Sequence, residues 1–302
     1  MVSILNAINN ILQWEPIAIL VDSIFWLVVF LVGFPLAAVV ALLRMVYLVV
    51  YYFLFEKQIN PLDDEKKGTE YAVFITGCDS GFGNQLVEPL TTRGFTVFAG
   101  CLQKDSLSQF KGNSLVIPLQ VDVTSDKSVE EAVKMVQTWL SSAGKRKRYF
   151  HGLVNNAGIA RVGLIDWLKM ADFKATMDVN CMGMIRCCKE FMPIFKKQAA
   201  AGVYKDSRIV NVISSAGTFQ GGDHLFSAYS ASKHAADAFT VNLRLEMNHF
   251  GVHVTAINPT FHQTPMCNGA SNEKMIKSLW NGLPDTTRDE YGEGELITYI
   301  VW

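Results

Sequence analysis

Net charge and paired cysteines are both scarce in this chain of 302 residues. The formal charge is −1, which argues against a dedicated nucleic-acid binder. Cys78, Cys101, Cys181, Cys187, Cys188 and Cys267 include no CxxC pair. That leaves neither a disulfide framework nor a zinc spacing, so the thiols read as small buried hydrophobes in a reduced compartment. His151, His224, His249, His253 and His262 show no ligand spacing either, and no metal is expected.

Charge is also missing locally. Between Ile17 and Phe55 the only charged side chains are Asp22 and Arg44, and Ser23 to Leu43 carries none. About 20 helical residues cross a bilayer core, and a buried globular helix rarely stays apolar on every face for so long. A cleaved signal peptide fits poorly, because the apolar run is too long and a basic start is lacking. A mitochondrial presequence would be Arg-rich and amphipathic. Two arrangements remain open. One is a single tilted span ending near Arg44, followed by the interfacial segment YLVVYYFLF. The other is a helical hairpin bending at Gly33 and Pro35. Lys and Arg are absent before Arg44 and follow it at Lys57, Lys66 and Lys67, so the downstream part should face the cytoplasm. The endoplasmic reticulum membrane is the expected location, with a mitochondrial membrane as the alternative.

Residues 1–59 therefore read as a membrane anchor, 60–70 (NPLDDEKKGTE) as a linker and 71–302 as a soluble domain. The basic run GKRKR at 144–148 reads as a solvated loop, with an anionic membrane surface as the alternative partner.

The domain has an α/β pattern: a doubly wound, Rossmann-type parallel sheet. A β-rich run, Ala72 to Thr76, enters a glycine turn with Gly77, Gly81 and Gly83, and a helical pattern follows to Gly94. Glycines let backbone approach a pyrophosphate, and the helix N-terminus offers free N–H groups. Further strands are expected at FTVFAG, at SLVIPLQVDVT ending on Asp122, from His151, from Arg208 to Gly217, and from Val252. Pro89 should kink the first helix. An acid often meets the NAD ribose near the end of the second strand, but Cys101 stands there. Asp79, in the glycine turn, would repel a 2′-phosphate, so NAD is expected in preference to NADP.

Tyr229 and Lys233 lie four residues apart on a helical pattern, hence on one face. An ammonium beside a phenol favours the phenolate and suits it to acid–base work near neutral pH. The small residues between them keep that face open, and the serine pair Ser214–Ser215 could hold a substrate oxygen.

These features together, TGCDSGFG, NNAG, DVN, ISS and YSASK, resemble the short-chain dehydrogenase/reductase family. The resemblance runs from about residue 70 to the end. VFITGCDSGFG, GFTVFAGCL and SLWNGLPDTTRDEYG are similar to the branch of retinol, hydroxysteroid and D-3-hydroxybutyrate dehydrogenases. It implies Tyr229 as general acid and base, Lys233 on the nicotinamide ribose, Ser215 on the substrate oxygen and Asn180 holding a relay water. Gly77, Asp79, Ser80, Gly81, Phe82 and Gly83 would form the cofactor turn. Asp122 would contact adenine, Asn155 the adenosine ribose, and Pro259 and Thr264 the nicotinamide side. Pairing into a homodimer would use the segments around Asn180 to Phe195 and Tyr229 to Phe250.

The chain departs from the family pattern in three places. Ser215 stands fourteen residues before Tyr229 rather than thirteen, which keeps Ser214 open as the substrate serine. Thr260 replaces the glycine usual after the sixth-strand proline. No seventh strand is recognisable before Trp302, so the end of the fold is expected to be truncated, with an exposed sheet edge. The reading is a membrane-anchored, NAD-dependent dehydrogenase of a lipophilic alcohol such as a retinol or hydroxysteroid. The alternatives are a D-3-hydroxybutyrate-type enzyme, with Arg161 or His262 meeting the carboxylate, and a truncated isoform serving as a membrane scaffold.

Overall fold

The computed structural model describes residues 69–292 except 145, 205, 219–223 and 268. The anchor expected at 1–59 and the end of the chain lie outside the described residues. Among the described residues no helix is long and apolar enough to cross a membrane.

Six parallel strands form one sheet in the order β3-β2-β1-β4-β5-β6. They are β1 (Thr69–Thr76), β2 (Thr96–Cys101), β3 (Val116–Gln120), β4 (Lys147–Asn155), β5 (Arg208–Val212) and β6 (His253–Ile257). The helices are α1 (Gly81–Thr92), α2 (Asp126–Ser141), α3 (Met170–Met177), α4 (Gly183–Ala200), α5 (Ser227–Asn248), α6 (Gly269–Asn281) and α7 (Asp285–Tyr291). β1 is buried on both faces from Tyr71 to Thr76, as a central parallel strand must be. Its even residues Ala72 and Phe74 join Phe98 and Phe150 in the main core, under α2, α4 and α5. α4 supplies Met184, Cys187, Cys188, Phe191, Ile194 and Phe195, a helical stripe, and the Phe191 ring lies 4.8 Å from that of Phe74. The five cysteines whose side chains are described are free and buried.

Three expectations about boundaries shift. β1 starts at Thr69, so the last two residues of the proposed linker are strand. The third strand ends at Gln120, two residues short of Asp122. β4 starts at Lys147, inside the basic run read as a loop. Two cations of that run are engaged in place. Glu70, paired with Arg148 across the β1–β4 ladder, binds both Arg146 and Arg148, and the Arg148 guanidinium lies 4.5 Å from the Trp139 ring centre. Pro89 sits inside a continuous α1, on its exposed side.

One side chain completes the sheet. β5 pairs with β4 only from Gly152 onward. At Phe150 the buried Gln198 of α4 takes the place of a strand, accepting from the backbone N–H at 2.8 Å and donating to the carbonyl at 2.9 Å.

A second, smaller apolar cluster lies apart from the main core. Val162 and Trp167, from the loop after β4, meet Leu225 and the α6 residues Ile276 and Trp280, with Phe226 and Tyr291 packed on them.

Candidate active site

Parallel strands bring all their carboxyl ends to one edge of the sheet. The turn after β1 is the tightest passage there. Gly77 has φ +71°, and a Cβ on it would lie 2.8 Å from the Ala157 Cα. The turn is tied to the β4 exit: the Thr76 hydroxyl accepts from the N–H groups of Asn156 and Ala157, both at 3.0 Å, and the Asn156 amide donates to the carbonyls of Thr76 and Gly77. Ser80 is the N-cap of α1, yet its side chain caps no N–H. The first-turn amides of α1 thus remain available to an anion.

The Asp79 carboxylate reaches across the turn. It accepts from the N–H groups of Leu102 and Gln103, both at 2.9 Å, which places it where β2 ends. Asp122 builds the bend into α2, accepting from the N–H and hydroxyl of Thr124. Opposite the turn, the Thr264 side chain is 3.8 Å from where a Gly81 Cβ would stand, and the Phe82 and His262 rings meet edge to face at 5.3 Å.

Asn155 behaves differently from its expected role. Its side chain is buried in the core, donating to Asn211 Oδ1 and Cys188 Sγ, while Asn211 donates to Thr240. Only the backbone of Asn155 belongs to the strand end. The neighbouring Asn156 is the one that reaches the glycine turn. Both lie in the quoted NNAG, and strand alternation sends adjacent side chains to opposite faces.

The catalytic candidates converge on the first turns of α5. Lys233 is buried, which pushes its pKa down from 10.5 to about 8, against a smaller opposing influence from Cys181. Its ammonium donates to the Val212 carbonyl at 3.0 Å and stands 5.6 Å from the centre of the Tyr229 ring. Asn180 is fully buried in a single π-helical turn, Asp178–Met182, between α3 and α4. Its carboxamide grips the backbone of Ile159 both ways, accepting from the N–H at 2.8 Å and donating to the carbonyl at 2.9 Å, and also donates to Ser232. Ser232 in turn donates to the Tyr229 carbonyl at 2.7 Å. Ser232 and Thr76 escaped the sequence reading, although Ser232 sits within YSASK.

The structure separates the two serines. The Ser214 hydroxyl accepts from the Ala216 N–H at 3.2 Å and so caps its own turn. The Ser215 N–H donates to the Pro259 carbonyl at 2.9 Å, while its hydroxyl has no hydrogen-bond partner among the described residues. Ser215 is thus the one with a hydroxyl to offer. Phe226 links Tyr229 to Phe261, with ring centres 6.1 Å and 6.3 Å away, and Phe261 is 81 % exposed. Together with the second cluster this gives the Tyr229 side of the site an apolar rim. Among the described residues no His, Cys, Asp and Glu group could hold a metal ion.

These residues fit a dinucleotide: glycine turn, uncapped helix amides and an acid at the second strand. Known proteins agree. Residues 71–275 match the family model described as short chain dehydrogenase. The chain is 36 % identical over 231 residues to human retinol dehydrogenase 5 (76 % of this chain, 68 % of that one). It is 34 % identical over 258 residues to 17-beta-hydroxysteroid dehydrogenase type 6 of Bos taurus (84 % and 74 %). It is also 35 % identical over 231 residues to mitochondrial D-beta-hydroxybutyrate dehydrogenase of Rattus norvegicus (74 % and 64 %). Among solved structures, the 3-ketoacyl-(acyl-carrier-protein) reductase of Brucella melitensis complexed with NADH superposes with TM-score 0.57 at 25 % identity (66 % of this chain, 78 % of that one). A short chain dehydrogenase of Burkholderia cenocepacia in complex with NADP gives 0.55 at 27 % (66 % and 75 %).

Proposed function

The chain belongs to the short-chain dehydrogenase family, in the branch of retinol, hydroxysteroid and D-3-hydroxybutyrate dehydrogenases, and from that premise we propose that it is a membrane-anchored oxidoreductase exchanging a hydride between NAD and a lipophilic alcohol or ketone. The observation that carries this is the buried Lys233 ammonium, 5.6 Å from the centre of the Tyr229 ring and fixed on the carbonyl of Val212, which lies shortly before Ser215 and its uncommitted hydroxyl. When bound, NAD supplies the hydride acceptor. The Gly77–Gly83 turn and the α1 amides would hold its pyrophosphate, and the Asp79 carboxylate, reaching the end of β2, would favour a ribose hydroxyl over a 2′-phosphate.

The chain's own part is proton chemistry. Ser215 Oγ donates to the substrate oxygen and aligns it. Tyr229 Oη takes the alcohol proton in oxidation and returns it to the carbonyl oxygen in reduction. The Lys233 ammonium stabilises the phenolate that forms. Asn180 keeps Ile159 and the start of α5 in register, with Ser232 as the link.

The apolar rim of Phe226 and Phe261 supports a lipophilic substrate, and an anchor at 1–59 would place that rim near a lipid-dissolved one. The two cations weighed for a hydroxybutyrate carboxylate are otherwise engaged. Arg161 has Asp172 at 3.9 Å, and His262 packs on Phe82. The catalytic domain is placed on the cytoplasmic side of the endoplasmic reticulum membrane. Pairing with a second copy through α4 and α5 is supported by the exposed Leu245 and Val241. The test is NADH formation by the full-length chain with all-trans-retinol, a hydroxysteroid and D-3-hydroxybutyrate. Turnover of a lipid alcohol above hydroxybutyrate is expected; the reverse order, or none at all from folded protein, refutes the reading.

A further inference from the structure

The opposite end of the sheet carries a charge pattern that hydride transfer does not use. The turns entering the strands hold Arg93 before β2, Lys111 before β3, Arg146, Lys147 and Arg148 at β4, and Arg208 at β5. Arg93, Lys111, Arg146, Lys147 and Arg208 are exposed. Two carboxylates share those turns. Glu70 is consumed by Arg146 and Arg148: burial alone would raise its pKa, and the hydrogen bonds from those arginines hold it low instead. Asp206 is the other. Nearby, Lys196 of α4 pairs with Glu246 of α5 at 3.3 Å.

We infer that this end of the sheet is a docking surface for the anionic headgroups of a lipid bilayer; the inference rests on the membrane-anchored reading above. Two observations point to a surface rather than to a single anion. First, the cations are distributed. From β3 to β5 there are four strand intervals, about 19 Å at the usual spacing. That spread exceeds the reach of one phosphate and the screening length at physiological salt. Val203, half exposed in the turn between α4 and β5, adds an apolar contact at the same end. Second, the chain enters the domain here. β1 begins at Thr69, so the uncharged run Ser23 to Leu43 is joined covalently to this end and not to the catalytic one. A basic segment next to a membrane-embedded one gains about fivefold in affinity per Lys or Arg near an anionic surface.

The test is amide hydrogen exchange of the full-length chain in nanodiscs of phosphatidylcholine, with and without phosphatidylserine. Retention in neutral discs reports the anchor. Exchange in the turns at 93–95, 111–115 and 146–148 reports the docking surface. We expect at least fivefold slower exchange there with phosphatidylserine, abolished by raised salt and by Lys111→Glu with Lys147→Glu, whose side chains take part in no ion pair among the described residues. Equal exchange in both discs overturns the inference and leaves the anchor standing. Slowing by a duplex oligonucleotide but not by phosphatidylserine overturns it too. If neutral discs do not retain the chain, the anchor reading fails. Co-sedimentation with phosphatidylserine vesicles then decides the surface alone: salt-sensitive binding sustains it, and no binding overturns it.

Discussion

The two ends of the sheet use polar groups in opposite ways. At the carboxyl end the strand exits hold Asp79, Asp105, Asp122, Asp126 and Asp166 against Lys104, Arg161 and Lys169. The helices that start here point their positive dipole ends and free amides at the crevice. At the amino end the turns are basic and the helices finish, so cations meet carbonyl ends. Buried polar groups differ as well. Gln198 at the amino end is spent on structure, both arms on the Phe150 backbone and its amide also on the Ser207 hydroxyl. Lys233 at the carboxyl end keeps an ammonium buried, with the Val212 carbonyl as its acceptor. One end spends its polar groups on holding the sheet, the other keeps them for chemistry.

Breaking each end should therefore give different symptoms. The largest effect is expected from Lys233→Met: kcat/KM falls by about 10³-fold, since the phenolate loses its nearby cation, measured as NADH formation at saturating NAD. Next is Ser215→Ala, with a loss of about 10²-fold from the lost donor to the substrate oxygen. Ser214→Ala should leave turnover within a few-fold and lower stability by about 1 kcal/mol through its lost cap, read by urea unfolding. Gln198→Leu inverts the symptom. Two backbone groups of Phe150 lose their partners, costing about 2 kcal/mol of stability, while KM for NAD stays unchanged.

The contrast also shows in the pH dependence of stability. Lys233 has a folded pKa of about 8 against 10.5 unfolded. Between those values the unfolded chain holds a proton that the folded one has released, so this group makes stability rise with pH across that window. The rise should be absent from Lys233→Met when unfolding is followed at pH steps from 8 to 10.5.

How legible these ends were follows from what each requires. The glycine turn and the Tyr229–Lys233 pair could be read because both depend on local spacing: a turn that admits no Cβ, and a helix that brings i and i+4 together. That the strands are parallel also follows from β–α alternation. Asn155 and Asn156 could not be told apart, because the register that decides which side chain enters the core is set by the neighbouring strands. The start of β4 at Lys147 was hidden because the neighbouring Arg148 is held by Glu70 and stacked on Trp139, and Glu70 lies far off in sequence. The choice between Ser214 and Ser215 rested on which hydroxyl caps the turn, a fact of backbone geometry alone.

The central claim is that Tyr229 Oη carries the proton while the carboxyl end binds NAD independently of it. The most direct measurement sets Tyr229→Phe beside the unaltered chain, with NAD affinity by fluorescence titration and lipid-alcohol turnover by NADH formation. The account predicts unchanged NAD affinity and a loss of turnover of at least about 10³-fold. Turnover within a few-fold of the unaltered chain would contradict it.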